Sequence, residues 1–282
     1  MKQIIDALII RLERPDEHYI VEEITREAHW DGTWEAEPSI CDTHLLVHRL
    51  RQSPSYVPEL HYVAELVGKL VGHIIYATGK VVDDEGKETE VLTFGPLSVL
   101  PAYQNQGIGK ALMQHSFKEA KNLGYRAVII FGHPDYYPRV GFRRATEFGI
   151  TTSKGKNFDP FMVYPLYEGA LNGIRGRFYL DPVYENLAEE DTVAFDKKFP
   201  AKELHIPIPI QLLFDRLPIP AQKALEGLKQ NSLKVMTTKS ECELSSLEGI
   251  DSQAIEIIRT VMGEHGLQWG KRQGTDSNTK FA

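Results

Sequence analysis

The sequence predicts an α/β layer around a mixed sheet, followed by a small all-helical domain. Three observations carry this reading. Short strand-like apolar runs alternate with helical patterns as far as residue 200. A glycine turn opens an amphipathic helix in their midst. Beyond residue 220 no strand pattern returns.

Taken in order, LIIRLE (8–13) reads as a strand, and Asp16 to Trp30 as a helix with Ile20, Val21, Ile24 and Ala28 on one face. A second helix is expected from Asp42 to Gln52, stopping before Pro54. LHYVAEL (60–66) and KLVGHIIYA (69–77) alternate as strands, and the Val67-Gly68 link between them suits a hairpin. VVDDEGKE turns the chain into EVLTFGPLSVL (90–100). After the glycine turn, Gly109, Leu112, Met113, Ser116, Phe117, Ala120 and Leu123 share a helix face opposite Lys110, Gln114, Lys118 and Lys121, with Gly124 as the stop. AVIIFG (127–132) has the continuous apolarity of a buried strand. FRRATEFG and FMVYPL each read as a further strand, and 181–200 as one more amphipathic helix.

Domain 1–204 therefore precedes a 205–220 segment with four prolines, read as a semi-rigid linker. Residues 221–270 form the helical domain. Ser240 and Glu243 stand at capping-box spacing with Gly249 as stop, and Asp251 caps a last helix that Gly266 ends. The polar tail 271–282 is expected to be disordered.

Composition excludes several function classes. A net charge of -7 and a pI near 5.8 argue against a chain held on nucleic acid by bulk electrostatics. The two cysteines, Cys41 and Cys242, supply neither a disulfide framework nor zinc spacing, so no metal is expected and a reducing cytoplasm fits. IIDALII carries Asp6 and lacks a cleavage site, which makes it a poor signal peptide. No run approaches the ~18–20 apolar residues needed to cross a bilayer. The expected location is cytoplasmic.

The chemistry sits at Gln104-Asn105-Gln106-Gly107-Ile108-Gly109-Lys110. A P-loop would need Ser or Thr after the lysine, where Ala111 stands. A dinucleotide fingerprint would need glycine where Leu112 stands. What remains is a Gln-x-x-Gly-x-Gly turn into a helix. Its glycines admit close backbone approach, and the unpaired amides at the helix N-terminus suit a pyrophosphate. Pro96, inside an otherwise central strand, cannot donate to a ladder and predicts a bulge.

At these residues the chain resembles the Gcn5-related N-acetyltransferases, the GNAT superfamily, and within it a YhbS-like bacterial branch. The likeness covers roughly residues 8 to 200. It implies the GNAT mixed sheet flanked by helices and acetyl-CoA as cosubstrate. It also implies a cosubstrate site at Leu97, Ser98, Val99, Gln104, Asn105, Gln106, Gly107, Ile108, Gly109 and Lys110, with pantetheine against the main chain of Leu97 and Val99. GHPDYYPRVGF (132–142) resembles the family's Tyr-x-x-x-Gly-Phe segment at Tyr137, Gly141 and Phe142, so Tyr137 is the implied catalytic residue beside the departing thiolate. One departure stands out: Gly132, His133 and Pro134 replace an Asn-x-x-Ala segment. Glu65, Glu90 and His73 lie near the expected cleft, and none is assigned as general base.

Residues 224–267 resemble the C-terminal domain of the bacterial RNA polymerase α subunit, a helix-hairpin-helix-like bundle. Its DNA-gripping positions fall here on Pro220, Asp251 and Gln253, and Arg216 to Gly270 holds six basic against seven acidic residues. A protein-contact module is the better reading. Transfer of acetyl to a primary amine, on a small molecule or peptide, in a ternary complex is the leading function. An acetyl-CoA-responsive scaffold acting through the helical domain is the alternative.

Overall fold

The computed structural model describes residues 5, 7–30, 41–202, 208–226 and 233–269, and the expected tail 271–282 lies outside them. The described residues through Lys202 form one compact unit and those from 208 a second.

In the first unit the strands are β1 (Leu8–Leu12), β2 (Tyr62–Leu66), β3 (Lys69–Val82), β4 (Glu88–Val99), β5 (Ala127–Phe131), β6 (Arg143–Arg144), β7 (Ile150–Thr152), β8 (Phe161–Pro165) and β9 (Gly176–Tyr179). They make one sheet in the order β1-β2-β3-β4-β5-β8-β6, with β9 added to the far end of β3 and β7 to β9. β1 through β4 are antiparallel neighbours, whereas β4 and β5 run parallel. The β2–β3 hairpin turns on Val67 and Gly68, both at positive φ, as a two-residue link between twisted strands requires.

Helices cover both faces. α1 (His18–His29) and α2 (Thr43–Leu50) pack on one, where Val21, Ile24, Val47 and Leu50 meet Val63, Ile75 and Ala77. α3 (Ile108–Asn122) packs on the other, burying Ile108, Leu112, Met113 and Phe117 against Ile74, Tyr76, Leu92 and Phe94. The alternation of Ile74 and Ile75 between the two clusters follows the two-residue period of the strand.

Three expectations differ from the fold. FRRATEFG is not one strand: after two residues of β6 the chain enters a 3-10 turn, Ala145–Phe148, where the Arg144 amide donates to Glu147 Oε1 at 3.2 Å, and Gly149 at φ 67 ends it. Residues 181–200 are not one helix. Asp181 caps a turn over Pro182–Tyr184, accepting from the Val183 amide at 2.7 Å, and α4 covers only Glu189–Asp196, opening on three acids that complement its dipole. Strands β7 and β9 escaped notice because each is shorter than a hydrophobic period can register.

The third difference concerns the linker. Residues 203–207 lie outside the described ones, and 208–220 is built into the helical unit. Ile210, Leu213 and Leu217 are buried there, just before, on and after α5 (Gln211–Phe214). Pro220 sits in the first turn of α6 (Ile219–Glu226), where a missing amide costs nothing. These side chains join Ala221, Leu225, Met236, Leu244, Ile258 and Val261 in one cluster, with α7 (Glu241–Ser245) and α8 (Ser252–Glu264) closing it. Among the described residues, no helix is long and apolar enough to cross a membrane.

Candidate active site

β4 parts from its neighbour where the site begins. It pairs with β5 at Leu92 and Val128 and no further, so the stretch after Leu92 is unpaired on that side. On its other side the register to β3 slips, Ile74 facing Leu97 and Tyr76 facing Phe94, which leaves Gly95 and Pro96 opposite Ile75 alone. This is a bulge at the expected proline, for the expected reason: proline has no amide for the ladder.

The gap between the strands opens into a cleft of about 480 Å³. It is lined by Leu97, Val99, Tyr103, Gln104, Asn105, Gly107, Ile108, Gly109, Lys110, Tyr136, Tyr137, Arg139 and Val140. The glycine turn forms its floor. Asn105 at φ 59 and Gly107 at φ 89 curl the chain so that α3 starts with no side-chain cap. No backbone carbonyl among the described residues accepts from the amides of 105–110. Unpaired amides at a helix N-terminus carry its positive end, so the arrangement favours an anion. A second groove, of about 360 Å³, shares Lys110 and Val140 with the first and adds Lys118 and Lys121.

Two expected residues turn their side chains elsewhere. Gln106 Nε2 donates to the Ala102 carbonyl at 3.0 Å, which braces the turn. Ser98 is buried on the opposite face of β4, with Oγ 3.0 Å from His29 Nε2. Gln104, although in the cleft, donates Nε2 to the Val99 carbonyl at 3.0 Å and so ties the loop to the splayed strand.

Tyr137 heads the 3-10 turn Tyr137–Val140 that Gly141 ends at φ 103. Its ring packs among Phe94, Phe142 and Tyr136, with centroids 6.0, 5.3 and 5.1 Å away. Burial pushes the phenol above its ordinary range, so it is a hydrogen-bond donor at neutral pH. Tyr136, not singled out in the sequence, lines the cleft too, its hydroxyl 3.8 Å from where a β-carbon on Gly109 would stand. Arg139 was missed. Its spacing of three from Tyr136 is the signal, because one 3-10 turn sets both on one side.

The unassigned acids are accounted for. Arg11 holds Glu65 at 2.8 Å, and Glu90 is exposed opposite Lys80 on β3. His73 is fully buried with Nε2 2.6 Å from Thr25 Oγ1. His133 accepts from the Asp135 amide at 3.2 Å through Nδ1.

Residues 18–144 match the sequence model of the Acetyltransferase (GNAT) family. Over 97 residues the chain is 35% identical to the uncharacterized N-acetyltransferase YjhQ of Escherichia coli strain K12, covering 34% of this chain and 53% of YjhQ. The chain thus spans about half of that relative. Against the uncharacterized N-acetyltransferase YhbS of the same strain it is 28% identical over 131 residues, 46% of this chain and 76% of YhbS. A crystal structure of the GNAT family N-acetyltransferase YhbS from Escherichia coli in complex with CoA superposes at a TM-score of 0.55 and 23% identity, covering 65% of this chain and 94% of that one. That likeness shows the fold: a mixed GNAT sheet flanked by helices.

Proposed function

We propose that the chain is an acetyl-CoA-dependent N-acetyltransferase acting on a primary amine. The observation that carries the reading is the conjunction of unpaired amides at 105–110 with the splay of β4 at Leu97–Val99, in one cleft. A loop of amides opening a helix fits a pyrophosphate, and a strand edge left unpaired toward β5 fits the amide-rich pantetheine arm. The named N-acetyltransferase relatives, and a fold relative solved with CoA, support the same cosubstrate.

In this reading Gly107, Ile108, Gly109 and Lys110 hold the diphosphate, while the main chain of Leu97 and Val99 aligns the arm and polarises the thioester carbonyl. Tyr137 meets the leaving thiolate. A phenol less acidic than usual is a poor proton donor to a thiol whose own pKa is near ~8.5, so the hydroxyl acts by donating a hydrogen bond to the sulfur. The cleft and its lysine-lined neighbour hold the cosubstrate, and the acceptor reaches the thioester from the far face of the splay.

The helical unit we assign to protein contact. Among its described residues both arginines are paired within it: Arg216 bonds Glu264 at 2.7 Å and Arg259 bonds Glu241 at 2.8 Å. Asp251 accepts from the Ala254 amide at 2.7 Å, so it caps α8 and would repel phosphate.

The test is release of coenzyme A, followed with a thiol reagent, as amines are added to protein and acetyl-CoA. Calorimetry runs beside it. Amine-dependent release with saturable acetyl-CoA binding is the expected outcome. Binding with no release for any amine would leave a scaffold instead.

A further inference from the structure

Behind the splayed strand lies a polar quartet, with the buried His61–Glu13 pair beside its His73. Thr25 and His29 stand one turn apart on α1, facing His73 of β3 and Ser98 of β4, which are register partners. Thr25 Oγ1 donates to the Val21 carbonyl at 2.8 Å, so its lone pair takes the proton of His73 Nε2 at 2.6 Å. His73 is thereby held neutral and enclosed. His29 differs in being half-buried, with Nε2 3.0 Å from Ser98 Oγ.

The two-residue period of β4 settles which side this is. Leu97 and Val99 point into the cosubstrate cleft, and Ser98, between them, points away. A ternary complex needs the acceptor to come from the face the cosubstrate does not fill. On that face, at the residue between the two cleft-lining ones, stands an imidazole.

We propose that His29 is the general base of the transfer and Ser98 its positioning residue. The proposal rests on the acetyltransferase reading. The proposal puts the ring proton on Nε2, donated to Ser98 Oγ, and makes Nδ1 the nitrogen that meets the amine. One ammonium proton passes to His29. The freed nitrogen lone pair forms the C–N bond, and the C–S bond breaks with its electron pair on sulfur. The second nitrogen proton ends on the thiolate, and His29 returns its own to water. Burial lowers the pKa of His29 against the pull of the nearby Leu97 carbonyl, so the ring is neutral at pH 7 and ready to accept. The groups around it leave it so. His73 interacts with it from β3, and Tyr184 donates to the Gly95 carbonyl at 3.4 Å. Arg26 and Glu27 of its own helix are engaged with Asp196 and Lys202. On α2, His44 lies against Asp196 and His48 against Glu22.

The experiment compares two nucleophiles with full-length protein. Butylamine is protonated at pH 7 and needs a base, whereas hydroxylamine arrives neutral. In His29→Gln, coenzyme A release should fall roughly 10²-fold or more with butylamine and change less than about threefold with hydroxylamine. Ser98→Ala should show the same selectivity more weakly. A purely structural His29 predicts equal losses with both nucleophiles, and that result overturns the proposal. Calorimetric binding of acetyl-CoA establishes that each variant is folded. Should His29→Gln fail to fold, His29→Asn carries the same comparison, and equal losses there overturn it too. If the wild type releases coenzyme A with neither nucleophile, the acetyltransferase reading falls first and this proposal with it.

Discussion

One edge of the Tyr137 ring, Cδ2 and Cε2, packs against Gly132. A β-carbon at that glycine would overlap Cδ2 and Cε2 of the ring and stand 2.9 Å from Ile130 Cδ1. The family resemblance implies an Asn-x-x-Ala segment where Gly132 stands, and here the ring occupies that space. Gly132→Ala should therefore displace Tyr137 from the cleft while α3 and the sheet stay in place. Turnover is expected to fall at least as far as in Tyr137→Phe, with far-UV circular dichroism unchanged.

In the proposed reaction, Tyr137→Phe removes one hydrogen bond to the developing thiolate. Such a bond contributes about 1.5–3 kcal/mol, or roughly 10- to 100-fold in kcat, with acetyl-CoA affinity nearly intact. Tyr136→Phe is the matched control, since both phenols line the cleft. A larger loss of kcat in Tyr136→Phe would move the leaving-group role to that residue.

Gly107 carries two demands that separate by substitution. Its φ of 89 strains any side chain, and a β-carbon there meets Ile5 Cδ1 at an ordinary 3.4 Å. Gly107→Ala should cost stability by about 1–2 kcal/mol and bind acetyl-CoA weakly but measurably. Gly107→Glu adds a carboxylate among amides that favour an anion, and calorimetry should detect no binding.

Where local chemistry determines conformation, the sequence was legible. Ser240 and Glu243 form the capping box their spacing implies, with the Ser240 amide 2.7 Å from Glu243 Oε2. Pro96 marks the bulge because a missing amide is a covalent fact. The glycine turn opens α3 where the period of 3.6 begins. What escaped depends on contacts far apart in the chain. Pro209 and Pro218 look like a linker until Leu213 and Leu217 are seen in a core with Ile258. His29 reads as the polar end of a helix until β4 brings Ser98 to it, 69 residues on. Arg139 and Tyr136 enter the cleft through a 3-10 turn too short for a periodic signal.

The acid side of the stability curve should reflect Glu17. Arg11 holds it at 2.6 Å and Arg14 at 2.7 Å, and its side chain is 8% exposed. The hydrogen bond from Arg11 leads, against desolvation, in lowering its pKa to about 2. A depressed carboxylate contributes stability above its unfolded pKa and loses it as pH falls through the folded value. The contribution, at most about 3 kcal/mol, should be complete above about pH 5, mostly lost by about pH 2 and gone near about pH 1. Urea titrations of Glu17→Gln and wild type should differ at pH 7 and converge as the pH approaches 2. A constant difference over that range would remove Glu17 as the source.

The first unit should survive alone. Its four apolar clusters draw only on residues up to Phe199 among the described ones, while the helical cluster begins near Ile208. A chain ending at Lys202 keeps the amides of 105–110, the splay at Leu97 and both cleft tyrosines. It is expected to unfold cooperatively and to bind acetyl-CoA within about threefold of full length, read by calorimetry. The full-length protein should show no salt-sensitive affinity for duplex DNA. Arg216 and Arg259 are committed to Glu264 and Glu241, so phosphate would have to break those pairs and face Asp251 as well. Fluorescence anisotropy across a salt series measures it. Sub-micromolar binding near physiological salt that vanishes on truncation would make the helical unit a DNA tether.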